Sequence, residues 1–117
     1  MFVLFFLSKP IYAQDNELEL SLNRDWGYGG FGGEIQGRFS LRATGPDSLI
    51  EVRFMIDDIV VETSTKPPFN YQFETDEFTP GVHTLTAVGI LSDGSQIDGP
   101  KYQRVFLSAE ECTKRHY

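Results

Sequence analysis

Apolar and polar residues alternate with a period of two along most of this chain, and no window repeats with the helical period of about 3.6. Leu18, Leu20 and Leu22 alternate with Glu17, Glu19 and Ser21, as a strand with one buried face requires. Ile35, Gly37, Phe39 and Leu41 alternate with Gln36, Arg38, Ser40 and Arg42 without a fault. Ile50, Val52, Phe54 and Ile56 then stand against Glu51, Arg53, Met55 and Asp57. The run Ile59–Ser64 follows after only Asp57 and Asp58, which predicts a hairpin on a two-residue turn. That turn lacks the glycine a type I′ turn favours, although Asp tolerates positive φ better than most residues.

Lys66-Pro67-Pro68 interrupts the sheet, since neither proline can donate to a ladder. Phe69, Tyr71 and Phe73 against Asn70, Gln72 and Glu74 predict the next strand. After a connection ending in Pro80-Gly81, His83, Leu85, Ala87 and Gly89 face one way and Thr84, Thr86, Val88 and Ile90 the other. Ser92-Asp93-Gly94-Ser95 is a hairpin signal. The chain is expected to return through Gln96 and Ile97, bulge at Asp98-Gly99-Pro100 and resume over 101–107, a strand that the proline assigns to a sheet edge. About seven short strands with no helical window predict an all-β fold, an antiparallel immunoglobulin-like β-sandwich, with a partly open barrel as the other architecture. The inward faces supply enough Leu, Ile and aromatic residues for a two-sheet core about 10 Å thick. Residues 109–117 are mixed and charged and read as a disordered tail.

Three blocks carry a family resemblance. Glu51-Val52-Arg53-Phe54-Met55-Ile56-Asp57-Asp58, Pro67-Pro68-Phe69-Asn70-Tyr71 and Pro80-Gly81-Val82-His83-Thr84-Leu85-Thr86-Ala87-Val88 resemble the bacterial Ig-like domains of exported, modular cell-surface proteins. The resemblance covers roughly residues 50 to 95. It implies a hairpin strand with its turn, the opening of the next strand and a central strand, in that order. It says little about function, because such modules serve as spacers, adhesion units, accessory domains and ectodomains. Where the family usually has Asp-Gly at the hairpin turn, this chain has Asp57-Asp58.

Length and charge narrow the possibilities. The 117 residues suffice for one domain, and Phe 10, Tyr 5 and Trp 1 suffice for a packed core. One Cys excludes an internal disulfide framework. The net charge is −7 and the basic residues are scattered until Lys114 and Arg115, so no stripe exists to release counterions from nucleic acid or anionic lipid. Phe2-Val3-Leu4-Phe5-Phe6-Leu7 followed by Ile11-Tyr12-Ala13 reads as an incomplete signal peptide over residues 1–14, with no basic residue before the apolar run. The domain itself is then expected over residues 15–108.

Candidate chemistry is sparse. Gly27-Tyr28-Gly29-Gly30-Phe31-Gly32 matches the dinucleotide pattern in letters only, since a strand rather than a helix follows. Two readings compete for this segment. Trp26, Tyr28 and Phe31 form an exposed aromatic platform for a sugar ring or partner surface, or the glycines let the chain double back and the rings cap the open end of the sandwich. The cap is the favoured expectation, because exposed aromatics are costly. His83 has no nucleophile or Gly-x-Ser-x-Gly elbow to serve, and is expected to hydrogen-bond near the corner that precedes its strand. Cys112 and His116 are spaced as two ligands, too few for structural zinc, so Cys112 reads as a free thiol. Asp57-Asp58, Asp76-Glu77 and Asp93 fall at turns without a calcium-loop pattern, and turn chemistry explains them.

These readings describe an exported, monomeric, non-catalytic Ig-like module that binds, adheres or spaces at or beyond the cell envelope, with no cofactor and no metal. Its expected partner is a protein or polysaccharide surface, with nucleic acid excluded and a membrane reached only through an anchor outside this chain. Two alternatives stay open. One is the ectodomain of a membrane-anchored protein, and the other is a carbohydrate-binding accessory module using Trp26, Tyr28 and Phe31.

Overall fold

The computed structural model describes residues 17–30 and 32–111, so the expected signal peptide, Phe31, Cys112 and His116 lie outside the described residues. Among the described residues eight strands follow in chain order: β1 (Glu19–Gly29), β2 (Glu34–Thr44), β3 (Leu49–Ile56), β4 (Ile59–Ser64), β5 (Phe69–Glu74), β6 (Gly81–Leu91), β7 (Gln96–Asp98) and β8 (Tyr102–Phe106). A 3-10 turn, Thr75–Glu77, links β5 to β6. Antiparallel pairing joins β1 to β2 and β2 to β5 in one layer. In the other, β3 pairs with β4 and β6, and β6 pairs with β7 and β8. The sheet curls between the layers through two parallel pairs, Glu34 with Val105 and Ile35 with Phe106. The result is an immunoglobulin-like β-sandwich.

Period-two alternation delivers the core. Leu20, Ile35, Phe39, Leu41, Val52, Phe54, Ile56, Phe69, Phe73, Leu85, Ala87 and Phe106 are all buried between the layers. Their removal from water supplies the driving force, roughly 1.5–3 kcal/mol for each large apolar side chain. Aromatic rings cross from layer to layer, with Phe54 stacked on Tyr71 at 5.9 Å and Phe73 on Phe106 at the same separation. The Tyr102 hydroxyl donates to the Leu20 carbonyl at 2.5 Å and closes the seam between β8 and β1.

The hairpin between β3 and β4 turns on Asp57 and Asp58 alone, with φ of 56° and 65°, the two positive values that a type I′ turn demands. In β3 and β4 the structure departs from the alternation twice. Between Leu49 and Glu51 a bulge in β3 breaks the register against β6, so that Leu49 is buried and Ile50 is 50% exposed. Room exists for Leu49 because Gly89 faces it, where a Cβ would stand 2.7 Å from Leu49 Cδ1. A second bulge, at Val61 in β4, turns Val61 toward the core and leaves Ile59 and Val60 exposed. The last strand is not an edge: β8 lies between β6 and β2. Its expected edge position rested on Pro100, which sits in the break between β7 and β8 and so removes no ladder bond from β8. Of the expected tail, residues 109–111 form a helical turn. It is capped reciprocally, with Ser108 N donating to Glu111 Oε1 at 3.0 Å and Glu111 N to Ser108 Oγ at 3.1 Å.

Candidate binding face

Residues 25–30 do not form a loop that doubles back over the sandwich. They lie at the far end of the β1–β2 hairpin, paired out to Gly29 and Ile35. Leu20, Leu22 and Arg24 pair with Ala43, Leu41 and Phe39, the inward positions of β2. Continued alternation would send Trp26 and Tyr28 inward as well. Instead a bulge between Arg24 and Trp26 leaves Asp25 without a Cα partner and reverses the parity, so Trp26 pairs with Arg38 and Tyr28 with Gln36 on the outer face.

Two devices hold this reversal. Gly27 and Gly37 face each other with φ of 125° each. A Cβ on Gly27 would collide with the Gln36 carbonyl oxygen, and one on Gly37 with the Trp26 carbonyl oxygen, so the backbones approach as only glycine permits. The Gly37 amide donates to Thr75 Oγ1 at 2.9 Å, and Thr75 is buried. The displaced Asp25 is tied down in turn. Its carboxylate accepts from Ser40 Oγ and, at 3.0 Å, from Gln72 Nε2, so one side chain links β1, β2 and β5. The Ser40 bond first, then that of Gln72, holds Asp25 below the usual carboxylate range.

The outcome is a polar sheet face with an aromatic end. Trp26 is 71% exposed and Tyr28 is half-buried. Beside Trp26, Arg38 pairs with Glu74 at 3.5 Å, and beside Tyr28, Gln36 Nε2 donates to Asp76 Oδ1 at 3.2 Å. Arg42 and Asn70 continue the face away from the aromatics. Trp26 and Tyr28 thus share the outer face, and the expectation of a cap is overturned for Trp26. The bulge puts Trp26 outside, and the buried chains of the core fill the inside. Asp25, Arg38, Ser40, Gln72 and Glu74 escaped sequence reasoning because only pairing across three strands collects them.

The remaining candidates resolve into structure. His83 Nδ1 lies 2.5 Å from Asp57 Oδ2 and its Nε2 lies 2.6 Å from the Thr79 carbonyl oxygen. A general base needs one ring nitrogen free for substrate, and here both are occupied. The bond to Thr79 places the ring at the corner before β6, as the sequence suggests. Asp93 accepts from Ser95 N at 2.9 Å and from Ser95 Oγ at 2.6 Å within its Asp-Gly turn. Among the described residues no three His, Cys, Asp or Glu side chains converge as a metal site would need. A groove of about 680 Å³ between the start of β1 and the β7–β8 break is lined in part by Glu17, Glu19, Asp98 and Arg42, and the exposed Thr44 hydroxyl there donates to Glu19 Oε1 at 3.2 Å.

The comparisons agree with this architecture. The model of the bacterial Ig domain family matches residues 36–87, in accord with the resemblance read from the sequence. No curated protein matches the chain. Among solved structures, the fibronectin(III)-like modules of CbhA from Clostridium thermocellum superpose with a TM-score of 0.55 at 13% identity, over 77% of this chain and 95% of that one. A polysaccharide deacetylase from Bacillus cereus superposes with a TM-score of 0.57 at 21% identity, over 76% of this chain. A protein from Bacillus anthracis assigned to the same activity gives 0.56 at 22% identity, again over 76%. This chain spans only 30% of each of those two proteins. At these identities the likeness is one of fold, that of an Ig-like module.

Proposed function

We propose that this chain, whose residues 36–87 match the bacterial Ig domain family, works outside the cytoplasm as a non-catalytic module presenting the outer face of β1, β2 and β5 to a partner surface. The observation that carries the reading is the exposure of Trp26. Leaving a large apolar ring in water costs free energy, and here a bulge, a facing glycine pair and a buried threonine contact hold it there. A strand-held indole with two side-chain torsions loses little entropy when a partner covers it. The apolar run Phe2-Val3-Leu4-Phe5-Phe6-Leu7, read as part of a signal peptide, supports a location beyond the cytoplasm, as does the frequency of such modules in surface proteins. The two deacetylase neighbours, in which a unit of this fold makes up part of a longer chain, support a place beside other domains.

Two measurements test this function. Trp26 is the only tryptophan, so acrylamide quenching of the whole chain reports its exposure directly. Sedimentation with isolated bacterial cell envelopes reports its use. The expected results are a red-shifted, readily quenched emission, and cosedimentation that Trp26→Ala abolishes and Ile59→Ala does not. A blue-shifted, quench-resistant emission, or cosedimentation indifferent to Trp26, overturns the reading.

A further inference from the structure

The chemistry of the Trp26 face selects among partners. We infer that its ligand is a glycan chain of β-1,4-linked, equatorially substituted sugars, lying across the strands with one ring on Trp26 and the next over the Arg38–Glu74 pair. This rests on the face being a binding surface, as proposed above, and adds the class of ligand.

Charge is the first argument. On this face Arg38 and Arg42 stand among Glu19, Asp25, Glu74 and Asp76, and each of these four acids already bonds to a neighbour within the protein. Arg38 holds Glu74, and Asp25 holds Ser40 and Gln72. A polyanion is repelled by the excess of acids and a polycation would have to break those bonds to find a partner, whereas an uncharged ligand leaves them in place.

Hydrogen-bonding capacity is the second. A sugar hydroxyl donates once and accepts twice, so a matching surface must offer both kinds of group close together. Gln36, Gln72 and Asn70 carry amides, which donate and accept. Arg38 supplies donors and Glu74 acceptors. Gln36, Gln72, Arg38 and Glu74 are each held by a bond to a neighbour, so little order remains to be imposed on them on binding.

Shape is the third. Pyranose rings with equatorial substituents present flat C–H faces and a rim of hydroxyls, which suits an exposed indole bordered by polar groups. From Trp26 on β1 across Arg38 on β2 to Glu74 on β5 is two strand spacings, roughly 10 Å, about the length of a disaccharide. A β-1,4 linkage keeps successive rings in a flat ribbon that can follow the sheet, whereas an α-1,4 linkage coils away from it.

The test titrates the whole chain with cellohexaose and with the β-1,4 hexamer of N-acetylglucosamine, with maltohexaose as the coiled control, following Trp26 emission and the heat of binding. At least one β-1,4 hexamer is expected to shield Trp26 from acrylamide. Trp26→Ala is expected to weaken that binding at least tenfold, and Glu74→Gln roughly three- to tenfold, with melting temperatures unchanged for both exposed-site variants. Which hexamer binds identifies plain or N-acetylated sugar. If Trp26 is freely quenched and neither β-1,4 hexamer protects it, the glycan inference fails while the binding face stands. Equal binding of maltohexaose sinks the ribbon geometry. An indole that resists quenching without any sugar removes the face and the glycan together.

Discussion

His83 and Asp57, 26 positions apart, form a half-buried ionic contact that ties the β3–β4 turn to the start of β6. Asp57 accepts from His83 Nδ1 at 2.5 Å through one oxygen and from the Thr84 backbone amide at 2.9 Å through the other, while its own amide donates to the Thr84 carbonyl at 2.8 Å. Because His83 Nε2 also faces an acceptor, the Thr79 carbonyl, both ring nitrogens must donate. Only the imidazolium can do that. The ring is buried against Phe106 at 4.4 Å, so the charge sits in an apolar wall and depends on its two acceptors.

This pair makes stability pH-dependent in a stated direction. Burial pulls the His83 pKa down, but the Thr79 and Asp57 bonds outweigh it and leave the group above its ordinary 6.5. Asp57 is held below 3.8, by the Thr84 amide first and by His83 after it. The raised histidine contributes stability that is complete below its unfolded value and fades as pH rises through the folded one. For the lowered carboxylate the contribution is present above its unfolded value and fades as pH falls through the folded one. The pair therefore stabilises most between about pH 4 and 6.5, and the melting temperature is expected to decline from pH 6 toward 8.5. His83→Gln should flatten that alkaline decline. A variant that keeps the full slope would remove the imidazolium from the explanation.

The two turn residues should respond oppositely to glycine. Asp58 occupies φ of 65°, where glycine is unstrained, so Asp58→Gly is expected to stabilise by up to about 0.5–1 kcal/mol. Asp57→Gly gains the same backbone relief but loses the bonds to His83 and Thr84, and should cost about 1–2 kcal/mol after allowance for the 45% exposure of its side chain. Urea denaturation of both variants checks the contrast, and equal effects would mean that the Asp57 bonds contribute nothing.

The β3 bulge makes a prediction opposite to that of simple alternation. Leu49→Ala should cost about 2–3 kcal/mol and Ile50→Ala less than about 1 kcal/mol, because the first opens a cavity beside Gly45 and Gly89 and the second trims a half-exposed chain. Thermal melts of the two variants decide it. If Ile50 proves the costlier, the bulge is misplaced.

Gly37→Ala should cost about 2–4 kcal/mol or fray the hairpin end, since the added Cβ meets the Trp26 carbonyl at a φ that alanine disfavours. The reporter is Trp26 itself, whose quenching should change with the loss of register. An alanine tolerated within about 0.5 kcal/mol, with Trp26 quenching unaltered, would exclude the facing-glycine geometry.

Much of this molecule can be read from local pattern. Alternation locates the strands and names most of the core, from Leu18 and Leu20 to Leu85 and Ala87. The two-residue spacing at Asp57-Asp58 announces the hairpin, and the motif blocks announce the Ig-like family. The aromatic face was half visible, as Trp26 and Tyr28 stand out in a glycine-rich segment while their direction does not. Alternation is a property of neighbours, and a single bulge inverts every position beyond it. Whether a bulge forms is decided by partners that the chain brings close only on folding. Thr75 and Ser40 with Gln72 reverse Trp26, Gly89 admits Leu49 in place of Ile50, and β2 closes on β8 to bring the last strand inside. Which residues form strands was thus set by local sequence, whereas which way Trp26 faces was set by contacts across three strands.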